Sequence, residues 1–208
     1  MGLFDLFRKP SPIRDAAGLS VFVEAETAFL VQKSTWEYSR ARSGVLWQKL
    51  FKEEAFKAAI EASTWGNFPL GLAFVGEMTV TTLRNGTAID AGAAASAVAA
   101  LCRDVIDRQP QPRGFPDTFW PDARAFVTAR IERTVLAPPK AVKDIPLDGH
   151  ADFFARLPMH PDLTRHDRQL LQNTLRVHLC RAHEALLARL DTASLVPALE
   201  RAASPGPG

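Results

Sequence analysis

The sequence predicts an all-α fold: a multi-helix bundle of about seven helices, two of them long, joined by short loops and ending in a disordered C-terminal tail. Three observations carry this. Apolar residues recur every three to four positions along most of the chain, the period of a helix and not the period of two that marks a strand. Breakers at Pro10 and Pro12, at Gly66 to Pro69, at Asn85-Gly86, over 109–116 and at Pro138-Pro139 cut the chain into pieces of helical length. No piece between them has the alternation of a half-buried strand.

Residues 1–9 form a short amphipathic start, with Leu3, Phe4, Leu6 and Phe7 largely on one side. A long helix is expected over 16–44, and 45–51 either continues it or turns. Residues 53–65 read as a helix with Phe56, Ala59, Ile60 and Ser63 on one face, which Gly66, Asn67 and Pro69 break. The stretch 70–84 is apolar nearly all round and reads as a separate, central helix. Asn85-Gly86 then turns the chain into an alanine-rich helix over 88–108, whose inward face is Ala91, Ala94, Val98, Leu101, Cys102 and Val105.

A proline-rich connection over 109–116 leads to a helix ending near Leu136, with Ala123, Phe126, Val127, Arg130, Ile131 and Thr134 on its face. A loop over 141–148 precedes a short helix over 149–157. Thr164, with Asp167 three residues on, occupies a capping-box position for a long helix to about Leu190. Residues 192–202 form the last helix. The organisation expected is an N-terminal segment over 1–12, one helical domain over 13–203 and a tail over 204–208.

A chain of 208 residues, 47% hydrophobic and 23% charged, suits one globular domain. No apolar run reaches the roughly 18 uncharged residues of a membrane span; the longest, 68–83, contains Glu77. Asp5 and Arg8 interrupt the start too soon for a secretory signal, so the cytosol is the expected compartment, with Cys102 and Cys180 as free thiols. The net charge is +2 and the basic residues are scattered. Their densest stretch, 40–57, also holds Glu53 and Glu54, so nucleic acid is not the expected partner.

The sequence holds no nucleophile elbow, phosphate loop, dinucleotide fingerprint, paired-cysteine motif or zinc-protease motif, and no cofactor or metal is expected. His178-x-Cys180-x-x-His183 resembles a metal motif until it is placed on a helix. There His178 points roughly 160° from Cys180 and 140° from His183, leaving at most two ligands together. His178 reads instead as a core histidine with one ring nitrogen hydrogen-bonded.

Buried charge is the less ordinary feature. With Phe22, Ala25, Phe29 and Trp36 taken as the apolar face of the first long helix, Glu26, Lys33, Glu37 and Arg40 fall in the neighbouring sector. Glu77 is the only charge between Asn67 and Arg84, and a buried carboxylate needs a partner; Lys33, Arg40 and Arg42 are the natural ones. This set is either an ion-pair network that fixes helix register or a polar pocket. The expected function is that of a non-enzymatic helical interaction or assembly protein. It would act through a protein partner or self-association, with peripheral contact of residues 2–9 at the cytoplasmic membrane face. A small-ligand binder or enzyme using Glu26, Lys33, Glu37, Arg40 and Glu77 is the alternative, and a helical DNA-binding regulator a weaker one.

Overall fold

Asp15 starts the first helix: its carboxylate accepts a hydrogen bond from the Gly18 N–H at 2.8 Å, meeting one of the donors that a helix N-terminus leaves open. In the computed structural model, which describes residues 11–164 and 166–203 apart from the side chains of Pro161 and Ala203, α1 runs over Ala16–Ser43. It ends where Gly44 adopts φ 52°, a conformation glycine takes without steric cost. A single 3₁₀ turn over Gly44–Leu46 and the one-turn α2 (Trp47–Leu50) reverse the chain into α3 (Glu54–Gly86).

The two helices expected over 53–65 and 70–84 are therefore one. Pro69 lies inside α3, where it removes a backbone donor at a cost of about 3 kcal/mol in an exposed helix. Here the turn around it is wrapped on all sides. Phe68, Leu70, Leu72 and Phe74 are buried, and each such side chain contributes roughly 1.5–3 kcal/mol on leaving water. Burial outweighs the lost bond, so the breaker does not break.

The central position expected for 70–84 holds within this longer helix, which meets α1, α4, α5 and α8. It admits them closely through glycine. A Cβ on Gly71 would overlap Cγ2 of Val31 on α1, and one on Gly76 would lie 2.6 Å from Cδ1 of Ile131 on α5. α4 (Ala91–Asp107) is capped by Asp90, which accepts from the Ala93 N–H at 2.9 Å; its alanine face is buried. Trp120 donates from Nε1 to the Pro110 carbonyl at 3.1 Å, pinning the 109–116 connection to α5 (Phe119–Glu132). The loop over 137–149 is held by arginines: Arg84 donates to the carbonyls of Thr134 and Ala137, and Arg176 to those of Lys143 and Ile145.

α6 (His150–Ala155) and α7 (Pro161–Thr164) are short; α8 (Arg168–Leu187) lays Leu171, Leu175, Leu179, Ala182 and Leu186 into the core. Thr164 does not cap α8. It closes α7, and Asp167 precedes α8 without a side-chain cap bond, because its carboxylate is taken by Tyr38 Oη at 2.7 Å and by Arg42. α9 (Thr192–Ala203) buries Leu195 and Leu199. The chain closes on itself where Ile13 donates to the Arg189 carbonyl at 2.7 Å and accepts from the Asp191 N–H at 3.1 Å.

The fold is an all-α bundle; among the described residues the Ile13–Leu190 bridge is the only extended pairing. The start over 1–10, with Leu3, Phe4, Leu6 and Phe7, and the tail over 204–208 lie outside the described residues.

The face of α1 differs from expectation. Phe22 is buried, but Ala25, Phe29 and Trp36 are exposed, and the inward side is Leu19, Val23, Thr27, Leu30, Val31, Ser34, Thr35 and Tyr38. The cause is the close approach of α3. Against Gly71 the backbones are near enough that small and β-branched side chains fit between them. Phe29 and Trp36 lie to the side of this contact, Phe29 edge-on against His178 of α8 and Trp36 against Trp47 and Phe51.

Candidate interaction site

The five charged residues singled out from the sequence do not converge. Lys33 and Glu37 form an i,i+4 pair at 2.6 Å on the surface of α1, each nearly half exposed. Glu26 pairs with Arg181 of α8, whose guanidinium lies 4.0 Å from the Phe29 ring centroid. Arg40 stacks at the outer end of α1 between two tryptophans. Glu77 meets none of Lys33, Arg40 and Arg42; its partner is Arg130 of α5, which holds it with two bonds of 2.9 and 3.0 Å.

With α1 rotated, its charged sector faces away from Glu77, while Arg130 sits on the inward face of α5 beside Val127 and Ile131. That pair is deep: the Arg130 and Glu77 side chains are 7% and 15% exposed. Burial pushes the Glu77 carboxyl up from its ordinary range, against the lowering pull of Arg130.

The histidines also separate. α8 is unbroken through His178, Cys180 and His183. His183 shares a 2.9 Å hydrogen bond with Thr82 Oγ1. His178 packs edge-on against Phe29 with its Nε2 buried and without a hydrogen-bond partner, in place of the bonded core histidine expected. Burial lowers both rings below the ordinary imidazole range.

What the fold does bring together lies at the turn between α1 and α3. Gly44 reverses the chain and leaves Val45 95% and Leu46 59% exposed. Behind them stand Trp36, Trp47, Phe51 and Phe56, in a row of edge-on contacts with centroid spacings of 5.1 to 6.5 Å. The Arg40 guanidinium lies 5.1 Å from the Trp47 ring and 5.7 Å from the Trp36 ring, a cation–π arrangement. Lys49 and Lys52 are exposed beside the aliphatic pair and carry no ion pair among the described residues. Between Tyr38 and Glu53 the chain has Arg40, Arg42, Lys49 and Lys52 and no carboxylate. The tip thus combines a protruding aliphatic pair, two indoles backed by two phenylalanines and a local excess of positive charge. The sequence does not single it out, because the basic stretch runs on into Glu53 and Glu54 at the start of α3 and only the turn geometry shows Val45 and Leu46 exposed.

Among the described residues, no helix is long and apolar enough to cross a membrane, and no group of three or more His, Cys, Asp or Glu side chains is placed to hold a metal ion. Comparison with protein-family models, curated proteins and solved structures finds no match for the chain.

Proposed function

We propose that this chain is a non-enzymatic helical interaction protein that docks peripherally on an anionic membrane face through the α1–α3 tip. The observation that carries the reading is the exposure of Val45 and Leu46 within a rim of tryptophans and unpaired cations. An aliphatic pair held out in water by a glycine turn loses free energy there and recovers it on insertion. Indole rings favour the headgroup level, and cations meet the negative leaflet.

The magnitudes are those of reversible docking. Arg40, Lys49 and Lys52 contribute roughly 1 kcal/mol each near an anionic surface. Val45 and Leu46 together add about 3 kcal/mol at the lower end of their transfer values. The sum is comparable with a single myristoyl chain, which anchors only marginally. The amphipathic start, residues 2–9, is a second contact of the same kind in this reading.

Sedimentation of the full chain with vesicles of equal parts phosphatidylcholine and phosphatidylglycerol tests it. Binding is expected to be weakened by salt, absent with phosphatidylcholine alone, and lost in a Val45→Asp/Leu46→Asp variant of unchanged helicity. Deletion of residues 2–9 with the tip intact reduces binding without abolishing it. Unchanged sedimentation of the tip variant refutes the reading, as does failure of the intact chain to bind.

A further inference from the structure

A second site lies on the flank of the bundle, away from the tip and independent of the membrane reading. α5 presents Phe119, Ala123, Phe126, Arg130 and Arg133 along one stripe, three or four residues apart. The stripe faces Pro69 and Leu70 of α3 and, across a gap, the segment from Asp148 to Arg156 that carries α6. Together they enclose a cleft of about 430 Å³, within the size range of small-ligand sites. A smaller cavity of about 240 Å³ borders Glu77 and shares Arg130, Arg133 and Asp148 with the cleft.

The deepest charged group in both is Arg130. Its guanidinium is fixed: 4.8 Å from the Phe74 ring centroid, bonded through Nε and Nη2 to Glu77 and through Nη1 to the Asp148 carbonyl. A guanidinium has five N–H donors, so two have no acceptor among the described residues, and unmet donors on a buried group are costly. One turn along, the Arg133 side chain makes no hydrogen bond or ion pair among the described residues. The Arg156 side chain, whose Cδ lies over Gly66, makes none either.

We infer that the α3–α5–α6 cleft binds a small monoanionic amphiphile, its anionic group on Arg130, Arg133 and Arg156 and its apolar body against Pro69, Leu70, Phe119 and Phe126. The sign follows from depth: the buried unspent donors belong to a cation, whereas the aspartates of the lining, Asp122, Asp148 and Asp152, are all exposed. The single charge follows from those three hydrated carboxylates, which repel a polyphosphate more than a monoanion.

Titration calorimetry of the full chain with decanoate, below its micelle concentration, tests the inference, with decylamine, decanol and inorganic phosphate as comparisons. Decanoate is expected to bind saturably at one site and more tightly than the other three. An Arg133→Gln/Arg156→Gln variant, altered only at exposed positions, is expected to bind at least about tenfold more weakly, since a charge-assisted hydrogen bond of roughly 1.5 kcal/mol corresponds to that factor. Backbone amide shifts on binding should concentrate in 119–133 and 148–156. The Val45→Asp/Leu46→Asp tip variant should bind decanoate as the parent does. Tighter binding of decylamine or phosphate, no saturable binding of decanoate, or equal decanoate binding by the double arginine variant overturns the inference. Loss of binding in the tip variant assigns the fatty anion to the tip and overturns it equally.

Discussion

Replacing Glu77 with Gln leaves the Arg130 guanidinium, 7% exposed, without its counter-charge. Removing one partner of a buried pair costs about 3–5 kcal/mol, because the remaining charge keeps its desolvation penalty and loses the attraction that offset it. For a chain of 208 residues each kcal/mol lowers Tm by roughly 2–4 °C, so the expected drop is about 6–20 °C. Arg130→Met should cost a similar amount at neutral pH, but its loss should shrink in acid.

Glu77 already has a folded pKa above its ordinary 4.5, and removing Arg130 withdraws a lowering influence. The folded state then holds the proton more tightly than the unfolded state. The stability this brings is fully present below about 4.5 and is lost as pH rises through the folded value. The double variant Glu77→Leu/Arg130→Met should lie near the parent, since an apolar pair of similar volume often replaces a buried ion pair without loss, less about 1 kcal/mol for the missing bond to the Asp148 carbonyl. Urea unfolding of the four proteins, followed by circular dichroism at neutral and acid pH, measures the cycle. A Glu77→Gln loss under about 1 kcal/mol, or a double variant as unstable as the sum of the single ones, would refute the reasoning.

Gly71→Ala should cost about 1–3 kcal/mol, since its methyl overlaps Val31 on α1; in urea unfolding, Gly71→Ala/Val31→Ala should lose less than the two single changes added. Tyr38→Phe removes a buried hydrogen bond to the Asp167 carboxylate and should lower stability by about 1.5 kcal/mol, with faster hydrogen exchange at the start of α8 as a local readout. His178 and His183 have folded pKa values below 6.5 through burial, so the unfolded chain takes up protons first as pH falls. Their contribution is complete above about 6.5 and lost as pH drops through the lowered values. A His178→Phe/His183→Gln variant should flatten that part of the stability–pH profile, and an unchanged slope would count against it.

What was legible in the sequence was what local chemistry decides. Both ends of α1 are readable because Asp15 caps one and Gly44 turns the other. α8 reads correctly over most of its length because its leucines keep one period. Pro69 and the inward face of α1 were misread for one reason: each depends on a neighbour. Proline's local cost is visible in any window, but the burial that offsets it comes from helices far along the chain. Phe29 and Trp36 look like core until α3, with Gly71, takes the Thr27, Leu30 and Val31 side of α1. Glu77 was recognisable as a charge in need of a partner. Arg130 was equally recognisable on an apolar face, and joining the two required only asking which inward face carried an unmatched cation. The tip could have been suspected from four cations without a carboxylate between Tyr38 and Glu53. The exposure of Val45 could not, since it depends on which distant helices pack over the turn.

The clasp between Ile13 and the turn before α9 sets an order on assembly during synthesis. Arg14 and Asp191 pair across 177 residues, and Ile13 is 1% exposed once the clasp is closed. A ribosome adding about 5–20 residues per second leaves that isoleucine without its bonding partners for about 10–35 s. α1 and α3 can meet much earlier, because α3 ends at Gly86. The emerging chain therefore carries a nearly finished hairpin whose leading edge stays open until Asp191 has been made. A factor that shelters nascent chains would find its longest-lived apolar target there.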